Sequence, residues 1–130
     1  MTQQKPALQY QRAWITIAPK DFKKSYDFYQ KFLGQAPDRT MTKPGNPDRL
    51  IYAEFQLEGL TIGIYAPKAT QTGGSSSLSL CFQVADLEAA IELVTNLGYP
   101  PPGEIMTPSH GREIYAFDPD DNRLILYQQN

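Results

Sequence analysis

The residues able to do chemistry are few and scattered. The chain has one histidine, His110, one cysteine, Cys81, and one tryptophan, Trp14, among 130 residues. A lone imidazole excludes a multi-histidine metal site built by one chain. His110 sits in a Pro- and Gly-containing loop beside Gly111 and Arg112. There it reads either as a solvated histidine or as a polar contact to a ligand. Cys81 reads as a buried thiol on a strand, with no His or acid partner in an arrangement for nucleophilic catalysis. Glu54 and Glu113 are weak candidates for a general acid or base, since exposed strand carboxylates are the commoner case. Tyr52, Tyr65, Tyr115 and Tyr127 recur with the strands, so only part of that set is expected to touch a ligand. No glycine loop suited to cradling phosphate is present; Gly73 and Gly74 belong to a linker.

The elements that must position these residues are legible from pattern. From His110 to Tyr127 two β-rich runs flank Asp118-Pro119-Asp120-Asp121-Asn122. Pro119 cannot donate to a ladder, and the Asp and Asn side chains suit a reversal, so the stretch predicts a hairpin. The same unit occurs earlier. Ile51-Tyr52-Ala53 matches Ile114-Tyr115-Ala116, Leu33-Gly34 matches Leu97-Gly98, and Asp21 matches Asp86, all in the same order. One module used twice accounts for this. Alternation predicts a strand over 13–18, and Asp21 caps a helix carrying Phe22, Tyr26, Tyr29, Phe32 and Leu33 up to Gly34. Residues 36–48 hold three prolines and a glycine and read as a loop, a candidate lid. A hairpin over 50–65 follows, then a linker over 67–77. Alternation resumes over 78–84, and Asp86 caps a second helix ending at Gly98. A long loop follows, with a short strand near Glu104–Met106. In both halves the aliphatic face of the first and last strands is expected to meet the helix. The other face carries Trp14, Thr16, Thr61, Gly63, Tyr65, Ser79, Cys81, Gln83, Ile125 and Tyr127. That mixture suits a ligand cleft, a second packed layer or a subunit interface.

Length and composition narrow the class. A chain of 130 residues is one domain with a real core, and its halves are too small to be expected to fold alone. The net charge of −2, with both signs dispersed, gives no nucleic-acid footprint and no basic membrane patch. One cysteine excludes an internal disulfide. With no secretory leader read at the N-terminus, a cytoplasmic protein is expected. No apolar run approaches the roughly 20 residues of a membrane span. Residues 1–9 are polar and expected to be loose.

A duplicated module with Asp-Pro-Asp-x-Asn before its final strand resembles the vicinal-oxygen-chelate superfamily of glyoxalases, bleomycin-resistance proteins and extradiol dioxygenases. The resembling parts are Trp14–Asp21, the helix with Phe28-Tyr29 and Leu33-Gly34, the stretch 78–86, and Asp118–Leu126. The resemblance implies an α+β fold: two βαβββ modules, about 10–66 and 78–130, whose curved mixed sheets surround a concave cleft. Asp121 stands where the family usually has Gly. The family's metal positions fall at Trp14, Ser79, Gly63 and Ile125, none of which is a normal ligand. A slip of two residues offers Thr16, Cys81, Thr61, Tyr65 and Tyr127, again without carboxylate or imidazole. The expectation is therefore a small-molecule binder without a metal or other cofactor, a divalent metal being possible but not favoured. Its ligand would be apolar or aromatic, contacted by Trp14, Tyr65, Ser79, Gln83, His110, Arg112 and Tyr127. The alternative is a lyase, isomerase or dioxygenase of the same superfamily, metal-dependent or acid–base through Glu54, Glu113 or His110. A homodimer is expected, since the flexible linker lets a module pair with its counterpart on a second chain.

Overall fold

The structure, a computed structural model, describes residues 9, 14–66, 79–108 and 111–130. The expected linker over 67–77 and the loose residues 1–8 lie outside the described residues, as does His110. The described chain runs β1 (Ile15–Ile17), α1 (Phe22–Leu33), β2 (Arg39–Lys43), β3 (Asn46–Leu57), β4 (Leu60–Tyr65), β5 (Ser79–Gln83), α2 (Leu87–Asn96), β6 (Gly111–Phe117) and β7 (Arg123–Gln129). It forms a four-stranded sheet in the order β1-β4-β3-β2 and a three-stranded sheet in the order β5-β7-β6. In each, the first strand lies parallel to the last, with the helix as crossover, and the hairpin neighbours are antiparallel. The fold is α+β with mixed sheets, each half being one turn of the same plan.

Local chemistry explains the boundaries. The Asp21 carboxylate accepts from the Lys24 N–H at the start of α1, and Gly34 ends it in the left-handed region. The Asp86 carboxylate accepts from the Ala89 N–H at the start of α2. Two expectations change. Residues 36–48 are not a loop: β2 and the start of β3 form a ribbon there. Lys43-Pro44-Gly45-Asn46 is its turn, with Gly45 at φ 81, so Pro and Gly mark a reversal within a hairpin. Pro47 is tolerated because β3 pairs with β4 only from Tyr52 onward, and the ladder to β2 is irregular near the turn. The expected strand near Glu104–Met106 is reduced to one bridge, Met106 to Glu113.

One core joins the two halves. Ile17, Phe55, Ile62 and Ile64 of the first sheet and Leu80, Ile114, Leu124 and Leu126 of the second all belong to it, with Phe28, Tyr29, Leu87 and Val94 of the helices. Phe32 of α1 meets Phe82 of β5 edge to face at 5.3 Å, and Phe28 meets Tyr99 at 5.2 Å. A polar latch runs beside these rings. The buried Tyr29 hydroxyl donates to Asp118 Oδ2 at 2.7 Å. Asp118, 1% exposed, also accepts from the Asn122 side chain and from the backbone N–H groups of Asp120 and Asn122. Asp120 in turn accepts from Lys20 N–H and the Ser25 hydroxyl. Burial first, and then the neighbouring Asp118 charge, push the Tyr29 hydroxyl well above the ordinary phenol range. Asp121 has φ 64, the left-handed conformation that glycine adopts more easily.

Candidate functional site

Because both sheets bury one face in the shared core, each turns its other face away from it. On the first sheet Ile62, Ile64, Ala53 and Phe55 are buried, and alternation leaves Thr16, Gly63, Glu54 and Tyr52 on the outer face. The ladder sets Thr16 beside Gly63 and Gly63 beside Glu54. Trp14, just before β1 and 46% exposed, alternates onto this face. Tyr65 shares it but stands at the other end. Trp14 precedes Thr16 by two residues and Tyr65 follows Gly63 by two, a separation of roughly 13 Å along the strands.

The middle of this face is occupied. The Tyr52 hydroxyl donates to Glu54 Oε2 at 2.6 Å. A Cβ on Gly63 would stand 2.6 Å from that hydroxyl oxygen, so the missing side chain is what admits the phenol. Glu54 is 2% exposed, not the exposed strand carboxylate that its type suggested. The signal available in the sequence was the spacing of Tyr52 and Glu54 on one face; their relation to Gly63 required the register.

On the second sheet the outer face carries three rows. Gln83, Tyr127 and Glu113 are cross-strand neighbours, so three candidates come together. Cys81, Ile125 and Tyr115 form the next row, and Ser79, Arg123 and Phe117 the third. Cys81 is exposed, contrary to the expected buried thiol, because it alternates with core residues Leu80 and Phe82 on an edge strand. Arg123 was not a candidate, yet it binds this face together. Its Nε donates to Ser79 Oγ at 2.7 Å, and its guanidinium lies 4.9 Å from the Tyr115 ring centroid. A groove of about 410 Å³ beside it is lined by Gly103, Glu104, Ile105, Met106 and Tyr115.

Arg112 goes elsewhere. It alternates with Glu113 and Tyr115 and pairs with Gln128, which puts it on the side of β6 facing α2. Its guanidinium bonds both Glu88 carboxylate oxygens, at 2.5 and 3.0 Å, and the Gln128 side chain at 3.1 Å. This hydrogen bonding holds the Glu88 carboxyl down at about 2 and raises the arginine's own pKa. The arginine is thus committed to holding α2, 24 residues away in sequence, and not to the outer face.

The family's metal positions do not fit a divalent ion. Trp14, Gly63, Ser79 and Ile125 offer an indole, a hydrogen, a hydroxyl bonded to Arg123, and an alkyl group. The register also sets Thr16 beside Gly63 and Cys81 beside Ile125, so Trp14 and Ser79 are two residues displaced from their strand partners. The space above Gly63 holds the Tyr52 phenol. Among the described residues no group of three or more His, Cys, Asp or Glu converges. No helix among them is long and apolar enough to cross a membrane.

Solved structures share this architecture. The genomically encoded fosfomycin resistance protein FosX of Listeria monocytogenes is 20% identical, with TM-score 0.70, covering 95% of this chain and 96% of its own. A glyoxalase/bleomycin resistance protein from Catenulispora acidiphila is 20% identical at TM-score 0.65, covering 91% and 97%. A glyoxalase-related enzyme from Fulvimarina pelagi is 20% identical at TM-score 0.67, covering 92% and 89%. One FosX variant was solved with Mn(II) and 1S,2S-dihydroxypropylphosphonic acid. No curated protein matches the chain. The family model for the glyoxalase/bleomycin resistance protein/dioxygenase superfamily matches residues 11–126, both modules together. Repeated modules, parallel first and last strands and the Asp118 turn agree with that match, and the chain belongs to this superfamily.

Proposed function

We propose that the protein binds a small molecule of apolar or aromatic character on its outer faces and does so without the superfamily's metal. The observation that carries this is the occupation of the module-one metal position by the Tyr52 phenol above Gly63, on a face where Trp14 stays 46% exposed. The exposed indole of Trp14 and the outer-face rings of Tyr65 and Tyr127 supply stacking surface. The contacts proposed are Trp14 and Tyr65 in the first module and Ser79, Gln83 and Tyr127 in the second. Titration of aromatic compounds, bleomycin among them, against Trp14 emission tests this, since no other tryptophan contributes. Saturable change in the chelator-treated protein is expected, and calorimetric titration should show weaker binding of the same compound by Trp14→Ala. Metal retained near one equivalent after dialysis, held at Trp14, Gly63, Ser79 and Ile125, overturns the metal-free reading.

A second reading has one observation in its favour. A carboxylate as buried as Glu54, bonded to Tyr52 on the outer face, has the environment of a working acid or base. The fosfomycin resistance protein FosX, solved as a mutant with Mn(II) and 1S,2S-dihydroxypropylphosphonic acid, sets the comparison. Fosfomycin turnover with and without added Mn(II), in the parent and in Glu54→Gln, separates the two. Turnover abolished by Glu54→Gln favours the enzyme; no turnover with intact aromatic binding favours the binder.

A further inference from the structure

The second half of the chain is acidic, yet one of its two cations is left without an acid. Residues 78–130 hold eight Asp and Glu against two Arg and no Lys, a net of −6. Arg112 is bonded to Glu88. Arg123, half-buried on the outer face of the second sheet, meets no carboxylate among the described residues.

Its partners there are a hydroxyl and a ring. Nε donates to Ser79 Oγ at 2.7 Å, and the guanidinium carbon lies 4.9 Å from the Tyr115 ring centroid. These contacts fix the guanidinium in place without neutralising it. Both Nη groups keep their protons without an acceptor among the described residues. No unpaired side-chain nitrogen is buried among those residues, so both Nη groups open to solvent. Ser79 accepts from Nε and so keeps its own hydroxyl proton to donate. Ser79 and Arg123 are strand partners, which brings these donors together.

The neighbouring groove supplies apolar surface. Its 410 Å³ is lined by Ile105, Met106 and Tyr115, with Gly103 and the exposed Glu104 on its wall. Tyr115 belongs to both parts, since its ring carries the guanidinium and also lines the groove. Charged donors and apolar surface therefore meet at one side chain.

We infer that Arg123 anchors the carboxylate of an acidic ligand whose apolar or aromatic body lies in this groove on Tyr115. The inference rests on the small-molecule reading above and adds the ligand's charge. A carboxylate offers two oxygens to the two Nη groups, the bidentate match of a guanidinium. A single negative charge suits the site better than the two of a phosphate. One arginine neutralises it, while Glu104 stands on the groove wall and Glu113 is bridged to Met106. If Arg123 served only to tie Ser79 of β5 to Tyr115 of β6, its loss would weaken every ligand alike.

Calorimetric titration of naphthoate and of its neutral amide, naphthamide, at neutral pH and low salt tests this. The parent should bind the acid at least about tenfold more tightly than the amide. In Arg123→Gln that ratio should fall to about one, and in Arg123→Lys, which keeps the charge but not the fork, to an intermediate value. Acetate alone should shift the Arg123 Nε–H resonance saturably, and acetamide should not; the resonance is assigned by its absence from Arg123→Gln. Equal affinity of the parent for acid and amide overturns the inference and needs no variant. So does a folded Arg123→Gln protein that loses acid and amide in the same proportion, or an acetate titration without a shift. The small-molecule reading fails separately: if neither naphthalene compound binds while acetate still shifts Arg123, the aromatic ligand is refuted and the anion site is supported.

Discussion

Replacing Tyr29 by Phe removes one oxygen from the latch between α1 and the β6–β7 turn. The hydroxyl is fully buried and donates at 2.7 Å to a carboxylate that is 1% exposed. A hydrogen bond to a charged group contributes about 1.5–3 kcal/mol, and Phe keeps the ring volume, so no cavity cost is added. Asp118 Oδ2 retains the Asn122 amide at 2.8 Å, which favours the lower half of that range. The expected loss is about 2 kcal/mol at neutral pH, or a fall of roughly 6–10 °C in Tm for a chain of this size. The pH dependence is a sharper check. Folding raises the Tyr29 pKa well above the ordinary phenol value of 10.0, chiefly through burial. Its contribution is therefore complete below about pH 10 and declines above it, as the unfolded chain loses a proton that the folded chain keeps. At pH 11 the gap to Tyr29→Phe should therefore be narrower than at pH 8. The other tyrosines are common to both proteins and cancel in the difference. Urea unfolding followed by Trp14 emission at pH 8 and pH 11 measures both gaps. A gap under about 0.5 kcal/mol at pH 8, or one that does not narrow at pH 11, refutes the latch.

Gly63→Ala should push the Tyr52 ring off the strand, since the new Cβ would lie 2.6 Å from its hydroxyl and 2.9 Å from Cε1. Loss of the bond to Glu54 with mild overpacking should cost about 1–3 kcal/mol, and an unchanged urea midpoint would contradict the close approach. Asp121→Gly should raise stability by about 0.5–1 kcal/mol by relieving φ 64, with a lower Tm counting against it. Glu88 has its carboxyl depressed to about 2 by Arg112, so the stability it lends is present above about 4.5 and disappears as pH falls toward 2. Acid unfolding of Glu88→Gln should lack that component, with a small effect that salt weakens further because the pair is exposed; a parent-like acid titration would contradict it.

Short-range physics made much of this protein readable in its sequence. Asp21 and Asp86 cap helices through their own side chains, three residues from the N–H they bind. The alternation of Ile62 and Ile64, or Leu124 and Leu126, assigns a core face because side chains on a strand point to opposite sides in turn. The repeat exposed the two-module plan for the same reason: it repeats local patterns. The ribbon at 39–49 escaped because every residue in that span is exposed, so it shows no apolar period, and Pro44 and Gly45 looked like the middle of a loop. What tertiary structure alone decided are contacts between residues distant in sequence. Tyr29 and Asp118 are 89 residues apart, and Arg112 is drawn to Glu88 rather than to the outer face. Glu54 is buried because the Tyr52 ring lies over Gly63, which depends on how β3 is registered against β4. A sequence pattern carries the direction in which a side chain points; it does not carry which distant group waits there, and that group determines burial, pairing and ionisation.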